Sequence, residues 1–333
     1  MQQDHKRRRG ATWRRAARAI GGMLALAAVT GAQAQQYPNR AITIIVPFTP
    51  GTGIDIMART IGQKVSERWG ASVVADNRAG ASGNIGAEMV AKAAPDGYTL
   101  MMTATSLATN AAINRNLRYD PAKSFAPISL VATGTMAFIT STNTSAATVR
   151  EFVAMAKAEP AKLNYASSGN GTPQHLSMEL FKLDTGIDVT HIPYKGAAGA
   201  VTDVVGGRVN AIIMPIHTAH PYVQGGKLKM LAVMAPERSP LYPNVPTLRE
   251  AGYPNVQVDV WYGLLAPAGT PAEIVNRWNA EVNAILALPD VREILSKQGL
   301  NAAGGRAELL ADMIRTELAR WPRVVTAAGI KAD

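Results

Sequence analysis

A strand, a glycine turn and an amphipathic helix follow one another twice in this chain, and that pairing narrows the fold more than any other feature. The first unit covers residues 42–69. Ile42-Thr43-Ile44-Ile45-Val46 is a short β-branched run suited to a buried strand. Pro47-Phe48-Thr49-Pro50-Gly51-Thr52-Gly53 is a turn, in which Gly51 and Gly53 let the backbone bend tightly and approach a neighbour. Ile54, Met57, Ala58, Ile61 and Val65 then recur at helical spacing and form one apolar face. Thr52 is placed to cap that helix, and Asp55 lies where a negative charge suits the helix N-terminus. In the second unit, residues 163–166 read as a strand, Ser167-Ser168-Gly169-Asn170-Gly171-Thr172 as the loop, and 175–183 as the helix. Free N–H groups at such helix starts favour an anion.

The segments between repeat the same alternation. Strands are expected at 72–75, 98–103, 189–192, 209–214 and 228–234, and helices at 85–93, 149–158 and 198–205. A small-residue loop at 104–110 opens a further helix. Strand–helix alternation argues for a mostly parallel α/β sheet. The apolar run 128–140 fits either two short strands or one strand passing between domains. Residues 256–266 are strand-like, and Thr270-Pro271-Ala272-Glu273 reads as a cap, a proline at N1 and a glutamate at N3. Helices near 271–286, 291–297 and 306–325 close the chain.

The first 34 residues read as an export signal. Lys6, Arg7, Arg8, Arg9, Arg14, Arg15 and Arg18 precede a short apolar stretch at 20–29, and Ala32-Gln33-Ala34 is an A-x-A cleavage site. Cleavage after Ala34 is expected, by the general or the twin-arginine route. Removing that segment's net +6 from the formal +10 leaves +4, which makes no case for nucleic acid. The chain has no cysteine, so it has no disulfide, thiol nucleophile or thiolate metal site.

Chemical motifs are sparse. The Ser168–Thr172 loop lacks both the G-x-G-x-x-G pattern and a G-K-[ST] ending. Gly80-Ala81-Ser82-Gly83 is one residue short of G-x-S-x-G. His175 either orients a ligand or packs locally, and His191 reads as structural. His217 and His220 are three apart but have no carboxylate companion, and Pro215 and Pro221 bracket them in an expected loop; no metal site and no cofactor is expected. Trp261-Tyr262 reads as core or hinge packing, with pocket lining as the alternative. Lys195 is open to an acidic ligand, to solvent or to Asp203, and Asp203 to a loop cap or a ligand amine.

Several segments together resemble the solute-binding proteins of tripartite tricarboxylate transporters, the Bug family. They are Tyr37-Pro38-Asn39-Arg40, the run Ile45–Gly51 with Asp55 and Ala58-Arg59, Asn77–Gly86, and Pro95-Asp96-Gly97-Tyr98-Thr99-Leu100. Further along, Tyr165–Thr172 with His175, His191–Gly196 with Asp203, and Trp261–Pro271 fit the same pattern. The resemblance spans the chain beyond the export signal.

The resemblance implies an α/β type II periplasmic binding protein fold: two α/β domains around a cleft, joined by crossover strands near 135–140 and 258–263. Domain 1 would comprise 35–137 and 262–333, and domain 2 would comprise 138–261. A monomeric periplasmic receptor would hold a small organic acid between the lobes and deliver it to membrane transporter subunits. By the same resemblance, Phe48, Gly51, Thr52, Gly53, Asp55, Thr105 and Ser106 would face the ligand from the first lobe. Ser168, Gly169, Thr172, Lys195, Gly196 and Asp203 would face it from the second. Two positions depart from the family pattern: Thr52 follows Gly51 where Pro-Gly-Gly is usual, and Gly199 stands where a proline is frequent. The competing readings are an exported hydrolase using Ser168 or His175, and a sensor that signals to a partner.

Overall fold

The computed structural model describes residues 37–330, so the export signal and its cleavage site lie outside the described residues. β1 (Ile42–Val46) lies between β2 (Val73–Asn77) and β3 (Thr99–Ala104), parallel to both. Its unbroken apolar sequence follows from this inner position, because both faces are covered. α1 (Gly53–Trp69) buries Ile54, Met57, Ala58, Ile61 and Val65, the face expected from their spacing. Each of the larger ones, Ile54, Met57, Ile61 and Val65, contributes about 1.5–3 kcal/mol when fully buried. Gly70 ends the helix in the left-handed region, at φ 67°, where glycine carries no Cβ penalty.

A short 3₁₀ turn (Ala81–Gly83) leads into α2 (Asn84–Ala91), and α3 (Ser106–Ile113) follows β3. β4 (Phe125–Ser141) is a single strand of 17 residues. After it come α4 (Val149–Ala158), β5 (Asn164–Ser167), α5 (Pro173–Thr185), β6 (Thr190–Pro193), α6 (Ala197–Val205) and β7 (Ala211–Pro215). Next are α7 (Ile216–Gln224), β8 (Leu228–Val233) and β9 (Asp259–Pro267). The chain closes with α8 (Ala272–Leu286), α9 (Pro289–Lys297), β10 (Leu300–Ala302) and α10 (Ala307–Ala327).

The strand order is β2-β1-β3-β9-β4-β7-β5-β6, with β8 and β10 also paired to β4. β4 changes neighbours along its length. From Phe125 to Thr135 it pairs with β9, and from Met136 to Thr140 with β7. Of the two arrangements open for residues 128–140, the one continuous strand is observed. β9 pairs with β3 and β4, its first residue Asp259 opposite Thr135, where β4 changes neighbours.

The sheet is mixed rather than mostly parallel. Strands β1–β3 and β5–β7 pair in parallel, whereas every pairing of β4 and β9 is antiparallel. Local alternation of strand and helix cannot reveal this, because β9 inserts between β3 and β4 from more than a hundred residues downstream. Two apolar clusters flank the handover in β4. One gathers Ile45, Met101, Trp261, Leu265 and Leu310; the other gathers Ile139, Ala166, Val204, Ile212 and Val233. Two helix starts also differ from expectation. Pro271, not Thr270, precedes α8, and the Thr270 hydroxyl donates to the Pro267 carbonyl. His217 and His220 lie on α7, with Pro221 inside the helix, rather than in a loop.

Candidate functional site

Six strands end at one cavity of about 470 Å³. The loops that leave the carboxyl ends of β1, β2, β3, β5, β6 and β7 all contribute to its lining. This is where ligands bind in open α/β sheets. The same loops start helices, so α1, α3, α5, α6 and α7 all begin at the wall. Unpaired N–H groups at each start carry a partial positive charge, roughly half an elementary charge per helix. Lys195, exposed, is the one full cation in the lining, and no Asp or Glu lines the cavity among the described residues. The arrangement favours an anion.

The β1–α1 loop is held from behind. Asp55 is 3% exposed and accepts the Gly51 N–H at 3.0 Å, Asn77 Nδ2 at 2.9 Å and Arg59 Nε at 3.1 Å. Burial alone would raise its pKa. The bonds from Arg59, Gly51 and Asn77 outweigh burial and hold the carboxyl below its ordinary value. Asn77 also donates to the Phe48 carbonyl. Phe48, Thr52 and Gly53 line the cavity, while Gly51 and Asp55 stand behind it as the loop's support. Thr52 occupies the cap position, but its hydroxyl donates to the Thr49 carbonyl at 3.0 Å instead of capping the helix.

The β5–α5 loop is braced from inside. Thr172 Oγ1 donates to the Gly169 carbonyl at 2.8 Å, and Ser167 Oγ lies 2.6 Å from His191 Nε2. His175 Nδ1 accepts the Gly171 N–H at 3.2 Å, which requires a neutral ring. His175 and His191 stack at 4.0 Å. Burial, with Lys182 nearby, lowers the His175 pKa to about 4; burial and then His175 lower His191 to about 3. Both imidazoles support the loop. Ser168 differs from its neighbours: the residue lines the cavity, and its buried hydroxyl has no hydrogen-bond partner among the described residues. Buried polar groups usually have a partner, so an orphan at a cavity wall calls for one, a water or a ligand.

The β6–α6 loop brings Tyr194, Lys195 and Gly196 to the wall. Asp203 stands behind it, accepting from Tyr194 OH at 2.6 Å and from Arg208 Nη1 at 2.7 Å. The Tyr194 bond and then Arg208 lower the Asp203 pKa. Asp203 therefore positions Tyr194 and leaves Lys195 without an ion pair among the described residues. Thr105 is fully buried and ties α3 to β9 through the Trp261 backbone, while Ser106 reaches the wall. Of the thirteen expected residues, Phe48, Thr52, Gly53, Ser106, Ser168, Thr172, Lys195 and Gly196 line the cavity; Gly51, Asp55, Thr105, Gly169 and Asp203 do not.

Residues beyond those thirteen also line the cavity. Residues 79–83 form a third glycine loop with positive φ at two non-glycine positions, Ala81 (46°) and Ser82 (54°). Such backbone costs about 1–3 kcal/mol per residue and persists only when it is held. Asn110 Nδ2 holds it, donating to the Ala81 and Ser82 carbonyls, and Ser82 Oγ donates to the Asn170 carbonyl at 3.0 Å. Its sequence signal was a glycine-rich run directly after a strand. His217 and Tyr262 also line the cavity, with Nε2 and OH 3.3 Å apart. Burial lowers the His217 pKa to about 4. His220 turns away to Tyr242 OH at 2.8 Å, so the two histidines do not share a site.

Residues 57–330 match the family described as tripartite tricarboxylate transporter family receptor. The chain belongs to this family. Among related receptors, BugT of Bordetella pertussis is 34% identical over 94% of this chain and 97% of its own. The structure described as R. palustris Rpa4515 with adipate is 37% identical, with a TM-score of 0.85 over 89% of this chain and 99% of that one. MatC from Rhodopseudomonas palustris with bound malate is 33% identical, with a TM-score of 0.82 over 87% and 100%. The periplasmic binding protein BugD is 30% identical, with a TM-score of 0.83 over 89% and 99%. The receptor thus has the α/β periplasmic binding protein fold of the Bug proteins.

Proposed function

We propose that this receptor captures a small organic carboxylate in the cavity and delivers it to the membrane subunits of a tripartite tricarboxylate-type transporter. The observation that carries the reading is the lining itself: five helix starts, Lys195 and Ser168 with its unpartnered hydroxyl, and no acidic residue among the described residues of the lining. Adipate and malate in the related structures support the same ligand class. The proposed lobes are 35–137 with 262–333, and 138–261, hinged where β4 exchanges β9 for β7. Ligand bridging the two shifts an open–closed equilibrium. The working form is a periplasmic monomer cleaved after Ala34.

The chain breaks no bond in this scheme. Ser168 Oγ has no base to activate it, since His175 accepts from Gly171 N–H and His191 meets Ser167, and this counts against a Ser168 hydrolase. The test is a thermal-shift screen of the cleaved protein against mono-, di- and tricarboxylates, aromatic acids and amino acids. A ligand at ~100 times its Kd adds about 2.7 kcal/mol. A well-folded sample that responds to none of them rejects the proposal.

A further inference from the structure

The cavity is not electrostatically uniform, and the difference between its walls bears on ligand class. On the α5 and α6 side, neither helix has an acidic residue in its first turn. Lys195 and the orphan Ser168 hydroxyl lie on the loops that start these helices. On the α1 side the helix start is already answered. Asp55 sits in the first turn and takes the Gly51 N–H, and the His217 ring covers Gly53 so closely that a Cβ there would stand 2.9 Å from Cδ2. No full cation lines this second wall. What it offers is the start of α7, which has no acidic residue in its first turn, with His217 in that turn and Tyr262 3.3 Å from it beside apolar Val260.

We propose, resting on the carboxylate reading above, that His217 and Tyr262 are the specificity-determining pair and that they read an uncharged oxygen, a hydroxyl or oxo group, on the body of the acid. The carboxylate end belongs to the Ser168 and Lys195 wall. Burial keeps His217 neutral at ordinary pH, so the pair, joined by its own hydrogen bond, has one donor hydrogen and free lone pairs left to offer. Neutral groups of that kind match an uncharged oxygen. A second carboxylate there would meet only the partial charge of the α7 start and no full counter-ion, which is the more costly arrangement. A site built to hydrogen-bond an oxygen also rejects the analogue that lacks it, because the donor left over from the His217–Tyr262 bond is then unpaired.

The test is calorimetric titration of the cleaved protein with two matched sets of acids: hexanoate, 6-hydroxyhexanoate and adipate; and benzoate with its 3- and 4-hydroxy derivatives. The expected result is a preference of about tenfold or more for a hydroxylated acid over its parent in at least one set. That ratio should collapse toward unity in His217→Leu and in Tyr262→Phe, whose circular dichroism reports whether each has folded. Tyr262→Phe keeps the ring and removes one oxygen, so it remains decisive if the histidine variant misfolds. Acids that bind without discrimination, a preference that survives both variants, or adipate binding tighter than 6-hydroxyhexanoate would each overturn this inference and leave the carboxylate reading standing. Failure of every acid to bind removes the carboxylate reading, and this inference with it.

Discussion

Gly53 and His217 exclude each other's growth: a methyl group on Gly53 would stand 2.9 Å from His217 Cδ2 and closer still to Nε2. Nothing about the Gly53 backbone requires glycine, since it begins α1 outside the positive-φ set. The absent side chain makes room for the imidazole. Gly53→Ala should therefore cost about 1–3 kcal/mol of stability by overpacking. Adding His217→Ala should recover part of that loss. A double-mutant cycle by urea denaturation measures the coupling, and simple additivity would refute the relationship.

Thr52→Gly should alter ligand affinity or preference more than it alters folding. The Thr52 side chain makes no cap bond, and its one hydrogen bond, to the Thr49 carbonyl, is near the surface. Glycine at a cap position costs only a few tenths of a kcal/mol. Paired Kd and denaturation measurements check this, and unchanged binding would place the Thr52 side chain away from the ligand.

Ser168→Ala should separate binding from stability in the opposite sense to Thr172→Ala. The Ser168 hydroxyl satisfies nothing in the empty protein, so its removal should leave stability unchanged or slightly raised. Carboxylate affinity should fall by about tenfold, the effect of a lost hydrogen bond to a charged group. Thr172→Ala removes the buried bond to the Gly169 carbonyl and should cost about 1 kcal/mol of stability.

Acid should destabilise the receptor through its stacked imidazoles. An unfolded histidine titrates near 6.5. In the fold His175 titrates near 4 and His191 near 3, among Tyr165, Glu179 and Lys182. Between these values and about 6.5 the unfolded chain binds more protons, so stability is full above that window and falls as pH drops through it. His175 alone contributes on the order of 3 kcal/mol. Protonating its Nδ1 also turns the acceptor of Gly171 N–H into a donor, so loop order and stability should fall together. Denaturation midpoints from pH 7 to 4, in wild type and His175→Gln, test the sign; a flat wild-type profile would contradict it.

Much of the architecture was legible because it is local. α4 was expected over 149–158 and is observed as Val149–Ala158, and the apolar face of α1 follows its 3.6-residue spacing. Glycine loops at strand ends announced the cavity wall for the same reason. Which way a loop residue faces is a different matter. Asp55 in a first turn reads identically whether its carboxylate meets a ligand or turns back to Gly51 and Arg59. Asp203 was equally ambiguous until Arg208 and Tyr194 were seen to hold it. β9 and β10 depend on partners far away in the chain, so their pairing has no local sign. His217 was obscured by its companion: a spacing of three to His220 suggested a pair, whereas Pro215 marks the end of β7 and puts His217 in the first turn of α7.

The bond from Ser82 Oγ to the carbonyl of Asn170 ends on backbone, not on a side chain. Substitution at position 170 leaves that acceptor in place, so control of the contact rests with position 82. The bond joins the β2 and β5 loops across the rim of the cavity, and separating those loops breaks it. Opening the rim therefore breaks a hydrogen bond whose donor is the side chain of Ser82, itself part of the cavity lining.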